Sequence, residues 1–145
     1  KYLFDNFFSS VTLFGTPVFY IIVILLVIRA NTPFTKILVS ALFFTEVVCG
    51  IIKLVYPKSR PMPRANKRFF ERYDAASFPS IHSARITVLV IMINLFYHDI
   101  LLLSIGVALV ILVGYSRIYL KCHYFKDVFG GIAIGAIIGV LLATW

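Results

Sequence analysis

The sequence predicts an all-α membrane protein, a bundle of about five transmembrane helices with a short N-terminal interfacial helix, and three observations point there. Of its 145 residues 61% are hydrophobic and only 14% charged, with a mean hydropathy of +0.96. A soluble domain would be nearer half apolar and a quarter charged. Apolar runs approaching the ~20 residues of a crossing helix alternate with short polar turns. The last run also carries Gly131, Gly135 and Gly139 at four-residue spacing, a stripe that lets a neighbouring helix come close. Residues 1–145 read as a single domain.

In chain order, residues 1–10 set Leu3, Phe4, Phe7 and Phe8 against Asp5 and Asn6, the pattern of a helix lying in the membrane interface. A first span is predicted over residues 11–28, with Pro17 tolerable near a helix start. A polar turn follows, and a second span over residues 37–52 delivers Lys53 to its far end. Residues 56–78 form the only long polar segment, with Lys58, Arg60, Arg64, Lys67, Arg68 and Arg72 facing Glu71 and Asp74. The third span runs from Pro79 to Tyr97, His98 and Asp99 make a solvated turn, and the fourth span covers residues 100–115. The fifth covers residues 128–145. The chain begins at Lys1 rather than Met, which leaves room for a preceding segment, and nothing in it reads as a cleavable signal.

Net charge is +8 and the isoelectric point about 9.7. Nucleic acid is excluded as a partner because the basic residues sit in short loops between spans, not along a soluble face. Anionic lipid and anionic substrates fit. Cys49 and Cys122 supply neither a disulfide framework nor a metal-binding spacing and read as unpaired thiols. Five alternating spans bring four places to one side of the membrane: the end of span two, the start of span three, the end of span four and the start of span five.

Those places hold the residues that are costly in a greasy chain. Residues 116–127 pack Arg117, Lys121, His123, Lys126 and Asp127 together. His123 and Asp127 stand four apart, so a helix starting near His123 would put them on one face, with the carboxylate holding one imidazole nitrogen and freeing the other as a nucleophile. Lys53, Arg60 and Arg117 supply three cations suited to a phosphate dianion. Ser80 and the amides of Ile81 and His82 open span three, where unpaired N–H groups favour an anion. His82 would protonate the leaving oxygen and then activate water. The blander possibility is a loop of snorkelling Lys and Arg around a solvated His.

Lys53 with Arg60-Pro61, then Pro79-Ser80-Ile81-His82, then Ser116-Arg117 with His123 and Asp127, is similar in order and spacing to the three-part signature of the type-2 phosphatidic acid phosphatase superfamily, which includes the vanadium haloperoxidases. The resemblance spans residues 53–127, and Gly130-Gly131 is also typical of that family. It implies a membrane lipid phosphatase with His123, His82 and Asp127 as catalytic residues, Lys53, Arg60, Ser80, Ile81 and Arg117 as the phosphate site, and no metal or other cofactor. Its partners would be a phosphorylated membrane lipid and the bilayer; the residues leave the oligomeric state open. The family usually has Gly where this chain has Ile81, which predicts strain in the turn or crowding of the phosphate.

The rival functions are a lipid-to-lipid phosphotransferase of the same fold and a non-catalytic phospholipid-binding or transport protein, and two structural readings also stay open in the sequence. Glu46 and Arg85 would either pair inside the bilayer, or Arg85 would snorkel upward or bind phosphate itself. Of 14 basic residues only Arg29 and Lys36 fall opposite the site, which argues for a cytoplasmic site. The resemblance argues for the extracytoplasmic face of the plasma membrane, and that face is the expectation here because several of the cations are accounted for by phosphate binding.

Overall fold

The computed structural model describes residues 2–29, 32–62 and 75–143, all helix, turn or irregular chain with no strand. The helices are α1 (Tyr2–Val11), α2 (Pro17–Val27), α3 (Thr32–Val55), α4 (Ile81–Tyr97), α5 (Ile100–Tyr119) and α6 (Phe125–Ala143), with a 3-10 turn, Thr12–Gly15, between α1 and α2. By length and composition α3, α5 and α6 can each cross a membrane. The fold is therefore an all-α membrane fold.

The single straight span expected over residues 11–28 is broken. α1 runs on into the 3-10 turn, Thr16 is extended (φ −86°, ψ 156°), and α2 leaves at a bend of 52°. The cause is Pro17, which lacks an N–H and disfavours helical geometry in the residue before it. Thr16 then caps α2 by accepting from the Phe19 amide at 3.4 Å. The two arms together make up a fourth possible span. α1 lies along α5, with Phe8 4.5 Å from the Tyr119 ring and the Tyr119 hydroxyl donating to Asp5 at 2.9 Å.

α4 is the pillar of the bundle, packing against α3, α5 and α6. It has 17 residues, about 26 Å of helix, and is the shortest of the four long helices. It can be apolar nearly all round because its neighbours cover it: Ile86, Val88, Leu89 and Met92 are core residues. The predicted stripe on α6 faces it. A Cβ at Gly131 would collide with the Ser80 carbonyl, and one at Gly139 would sit 2.9 Å from Ile91 Cγ2. This close approach sets Ser80 and the first turn of α4 directly beside the start of α6. At the far end His98 takes a left-handed conformation (φ 50°), and Asp99 caps α5 by accepting from Leu101 and Leu102 at 2.7 and 2.9 Å.

Candidate active site

The site forms where α5 ends and α6 begins. Lys121 adopts φ 53°, which turns the chain back so that the Arg117 carbonyl accepts from the amides of both Cys122 and His123, at 3.0 and 3.1 Å. That fold-back buries His123 to 2% exposure. Its Nδ1 lies 2.7 Å from the main-chain carbonyl of Ser77, which holds that nitrogen as the donor and leaves Nε2 with the lone pair.

The direct His123–Asp127 bond expected from their spacing is therefore replaced. α6 begins at Phe125, two residues after His123, so the four-residue helical relation does not apply. Asp127 instead serves its own helix, accepting from the Tyr124 amide at 2.8 Å as the returning half of a capping box. The same buried carboxylate also accepts from the Ser77 hydroxyl and from Lys58 Nζ, the latter at 2.5 Å. Ser77 thus links the two residues: its side chain is held by Asp127 and its carbonyl holds His123. The Ser77 amide in turn donates to the Lys58 carbonyl at 2.7 Å, tying the loop after α3 to the segment before α4.

Lys53, Arg60 and Arg117 are all buried. Lys53 donates to the Ala76 carbonyl at 2.6 Å, and Arg117 Nη1 lies 3.4 Å from Thr12 Oγ1. All three act on His123: burial, then Arg117, Arg60 and Lys53 in turn, push its imidazole from its ordinary value down to about 2. In the folded chain His123 stays neutral where an unfolded histidine titrates near pH 6.5. The unfolded state therefore takes up a proton that the folded state refuses, and stability is lost as pH falls below about 6.5, by at most about 1.4 kcal/mol per unit for this group. In detergent, wild-type Tm should drop between pH 6.5 and 4.5 more steeply than that of His123→Gln; parallel curves would contradict this environment.

Ser80 is fully buried; its amide donates to the Asp127 carbonyl at 2.9 Å and its hydroxyl accepts from Ser83 at 3.0 Å. Its side chain makes no cap bond to α4, so the first-turn amides of Ile81 and His82 are not satisfied by it. The backbone strain expected of Ile81 does not arise. Ile81 is the first helical residue of α4, is not among the residues with positive φ, and sends its side chain into an apolar cluster with Cys49, Ala84 and Ile134. Ile81→Gly should accordingly lower stability by about 2–4 kcal/mol through lost packing and helix propensity, while turnover per folded molecule changes less than about tenfold. Tm and kcat on the same preparation separate the two.

His82 lies within electrostatic reach of Arg117, His123 and Arg60, and its Nδ1 is buried with no hydrogen-bond partner among the described residues. Glu46 and Arg85 do pair: Arg85 Nε donates to one carboxylate oxygen and Nη2 to the other at 2.9 Å. Four residues at the site escaped the sequence reading. Ser77 stands two residues before the Pro79-Ser80 motif, and Lys58 was one of six cations in a basic segment. Thr12, 2.8 Å from the Ser116 hydroxyl, and Gly15, packed on His82, carried no signal because their segment is remote in sequence. Arg64, Lys67, Arg68 and Arg72 lie outside the described residues.

The family model described as PAP2 superfamily matches residues 34–145. The chain belongs to the PAP2 superfamily. Its fold is shared with Aquifex aeolicus LpxE (TM-score 0.83, 23% identity, over 99% of this chain and 87% of that one). It is also shared with the first transmembrane PAP2-type phosphatidylglycerolphosphate phosphatase from Bacillus subtilis (TM-score 0.81, 20% identity, 99% and 77%). No curated protein sequence matches it significantly. The PAP2 match begins at Phe34, so α1, the 3-10 turn and α2, which bring Thr12 and Gly15 to the site, precede it.

Proposed function

We infer that this protein is an integral membrane phosphatase that removes a phosphate from a phosphorylated lipid through a phosphohistidine. The observation that carries the reading is one buried, neutral imidazole, His123, oriented by a main-chain carbonyl and surrounded by Arg117, Arg60 and Lys53. Nε2 of His123 attacks phosphorus as the bond from phosphorus to the lipid oxygen breaks, and His82 gives that oxygen its proton. His82 then takes a proton from water, whose oxygen attacks phosphorus, and the P–N bond breaks to release inorganic phosphate. The three cations, with Ser80 and the amides of Ile81 and His82, balance the charge that spreads over the transferring oxygens. Asp127 acts from behind, through Ser77. No step calls for a metal or other cofactor.

The apolar exterior fits a substrate whose leaving group stays in the bilayer, with the site on the extracytoplasmic face of the plasma membrane. Lipid A 1-phosphate is the favoured substrate, ahead of phosphatidylglycerophosphate, undecaprenyl pyrophosphate and phosphatidic acid. What favours it is the basic run Arg64, Lys67, Arg68 and Arg72, which suits a second anionic group on a large substrate. Neutralising these four singly should raise KM for a bis-phosphorylated lipid, leave kcat nearly intact and barely affect a short mono-phosphate. Equal losses on both would remove the case for lipid A. Phosphate release from each candidate lipid, inhibited by orthovanadate and indifferent to chelators, tests the reaction itself; a phosphorylated second lipid in place of free phosphate would make the protein a phosphotransferase.

A further inference from the structure

We propose that Glu46 and Arg85 are positioning residues for His82, acting through the turn at Gly15, an inference that rests on the phosphatase reading above. Charged side chains inside membrane helices are costly and are kept where they have a partner and a task. Glu46 belongs to α3, seven residues before Lys53, and Arg85 to α4, one turn after His82. Two arms of the Arg85 fork bind the two Glu46 oxygens, and the third nitrogen, Nη1, donates to the Gly15 carbonyl at 3.1 Å. One guanidinium thereby ties α3, α4 and the 3-10 turn together, and Tyr20 of α2, also buried, feels both charges.

The turn is what His82 rests on. A Cβ added at Gly15 would lie 2.7 Å from His82 Cβ, 3.0 Å from its Cα and 3.1 Å from its Cδ2, so only glycine permits this approach. Because Nδ1 of His82 has no hydrogen-bond partner among the described residues, packing against Gly15 sets the direction of the ring. Arg85 holds Gly15 there by its main chain, and Glu46 holds Arg85. A general acid must be within hydrogen-bond reach of the leaving oxygen, so a small shift of the turn costs rate without removing any group that touches phosphate.

The test uses the full chain in detergent micelles with ³²P-labelled lipid A 1-phosphate and, in parallel, ³²P-labelled phosphatidic acid, comparing Arg85→Lys, Gly15→Ala and His82→Ala. Lys at 85 keeps the charge for Glu46 and lacks the fork that reaches Gly15; Ala at 15 leaves the ion pair whole and pushes the ring. Both should lower kcat ten- to about a hundredfold, with KM falling alongside it as breakdown of the phosphohistidine becomes limiting. Both should also accumulate phosphohistidine at steady state, as is expected of His82→Ala, because the same imidazole serves the hydrolytic step. Wild-type kcat in folded variants, or a loss that only tracks the folded fraction without phosphohistidine, would overturn the proposal. The rate of carbethoxylation of His82 by diethyl pyrocarbonate, read by mass spectrometry, reports ring placement without turnover. If the wild type turns over no phosphorylated lipid, the phosphatase reading fails, and the clamp stands or falls on whether that rate changes in both variants.

Discussion

His123→Ala is expected to abolish turnover, by about 10⁴-fold or more, with substrate still bound. The imidazole is buried and within electrostatic reach of Arg117, Arg60 and Lys53 together, and Cys122 beside it is bonded through its thiol to the Leu120 carbonyl at 3.6 Å. His82→Ala should instead slow the reaction by about 10²–10⁴-fold and let a phosphohistidine build up, since proton transfer at the leaving oxygen and at water is weakened while attack survives. Acid-labile ³²P on the protein, mapped by peptide sequencing, separates the two. Full activity in His123→Ala, or label on any other residue, removes the mechanism.

The second large effect is expected at Asp127. Asp127→Ala would leave the Ser77 hydroxyl, the Tyr124 amide and Lys58 without their acceptor, at about 3–5 kcal/mol for stripping one partner from a buried pair, with the partly solvated Lys58 favouring the lower end. The milder Asp127→Asn isolates its catalytic part. Among the described residues the side-chain route from Asp127 to the His123 ring runs through Ser77, so Asp127→Asn and Ser77→Ala should each lower kcat, and the double variant should be little worse than the poorer single. That corresponds to a coupling of about 0.5–3 kcal/mol. Additive losses, with Ser77→Ala nearly silent, would mean that Asp127 bonds His123 directly during turnover.

Much of the site could be read in the sequence because its chemistry is local. Lys53 with Arg60, Ser80 with His82, and Arg117 with His123 and Asp127 are short segments, and each falls at the end of an apolar run. Alternating spans force those ends to one side. Geometry around His123 could not be read in this way. The four-residue relation to Asp127 holds only inside a helix, and whether α6 starts at His123 or at Phe125 turns on a left-handed Lys121, a conformation that residue type does not announce. Ile81 was misjudged for a related reason: a missing glycine signals strain only where φ is positive, and here the position is ordinary helix facing Cys49 and Ile134.

The amino-acid sequence by itself determined the all-α membrane fold, the glycine stripe that seats α6 on α4, and which cations and imidazoles stand at the ends of the apolar runs. Hydrophobic runs and small-residue spacing act along one helix at a time, so their pattern survives without knowledge of neighbours. Only the tertiary structure decided which groups touch. It broke the first span at Thr16-Pro17 and swung the 3-10 turn under His82. It joined Glu46 to Arg85 across 39 positions and put Ser77 between His123 and Asp127. Those are contacts between segments far apart in the chain, fixed by how whole helices pack, and one residue's identity carries no record of its partner.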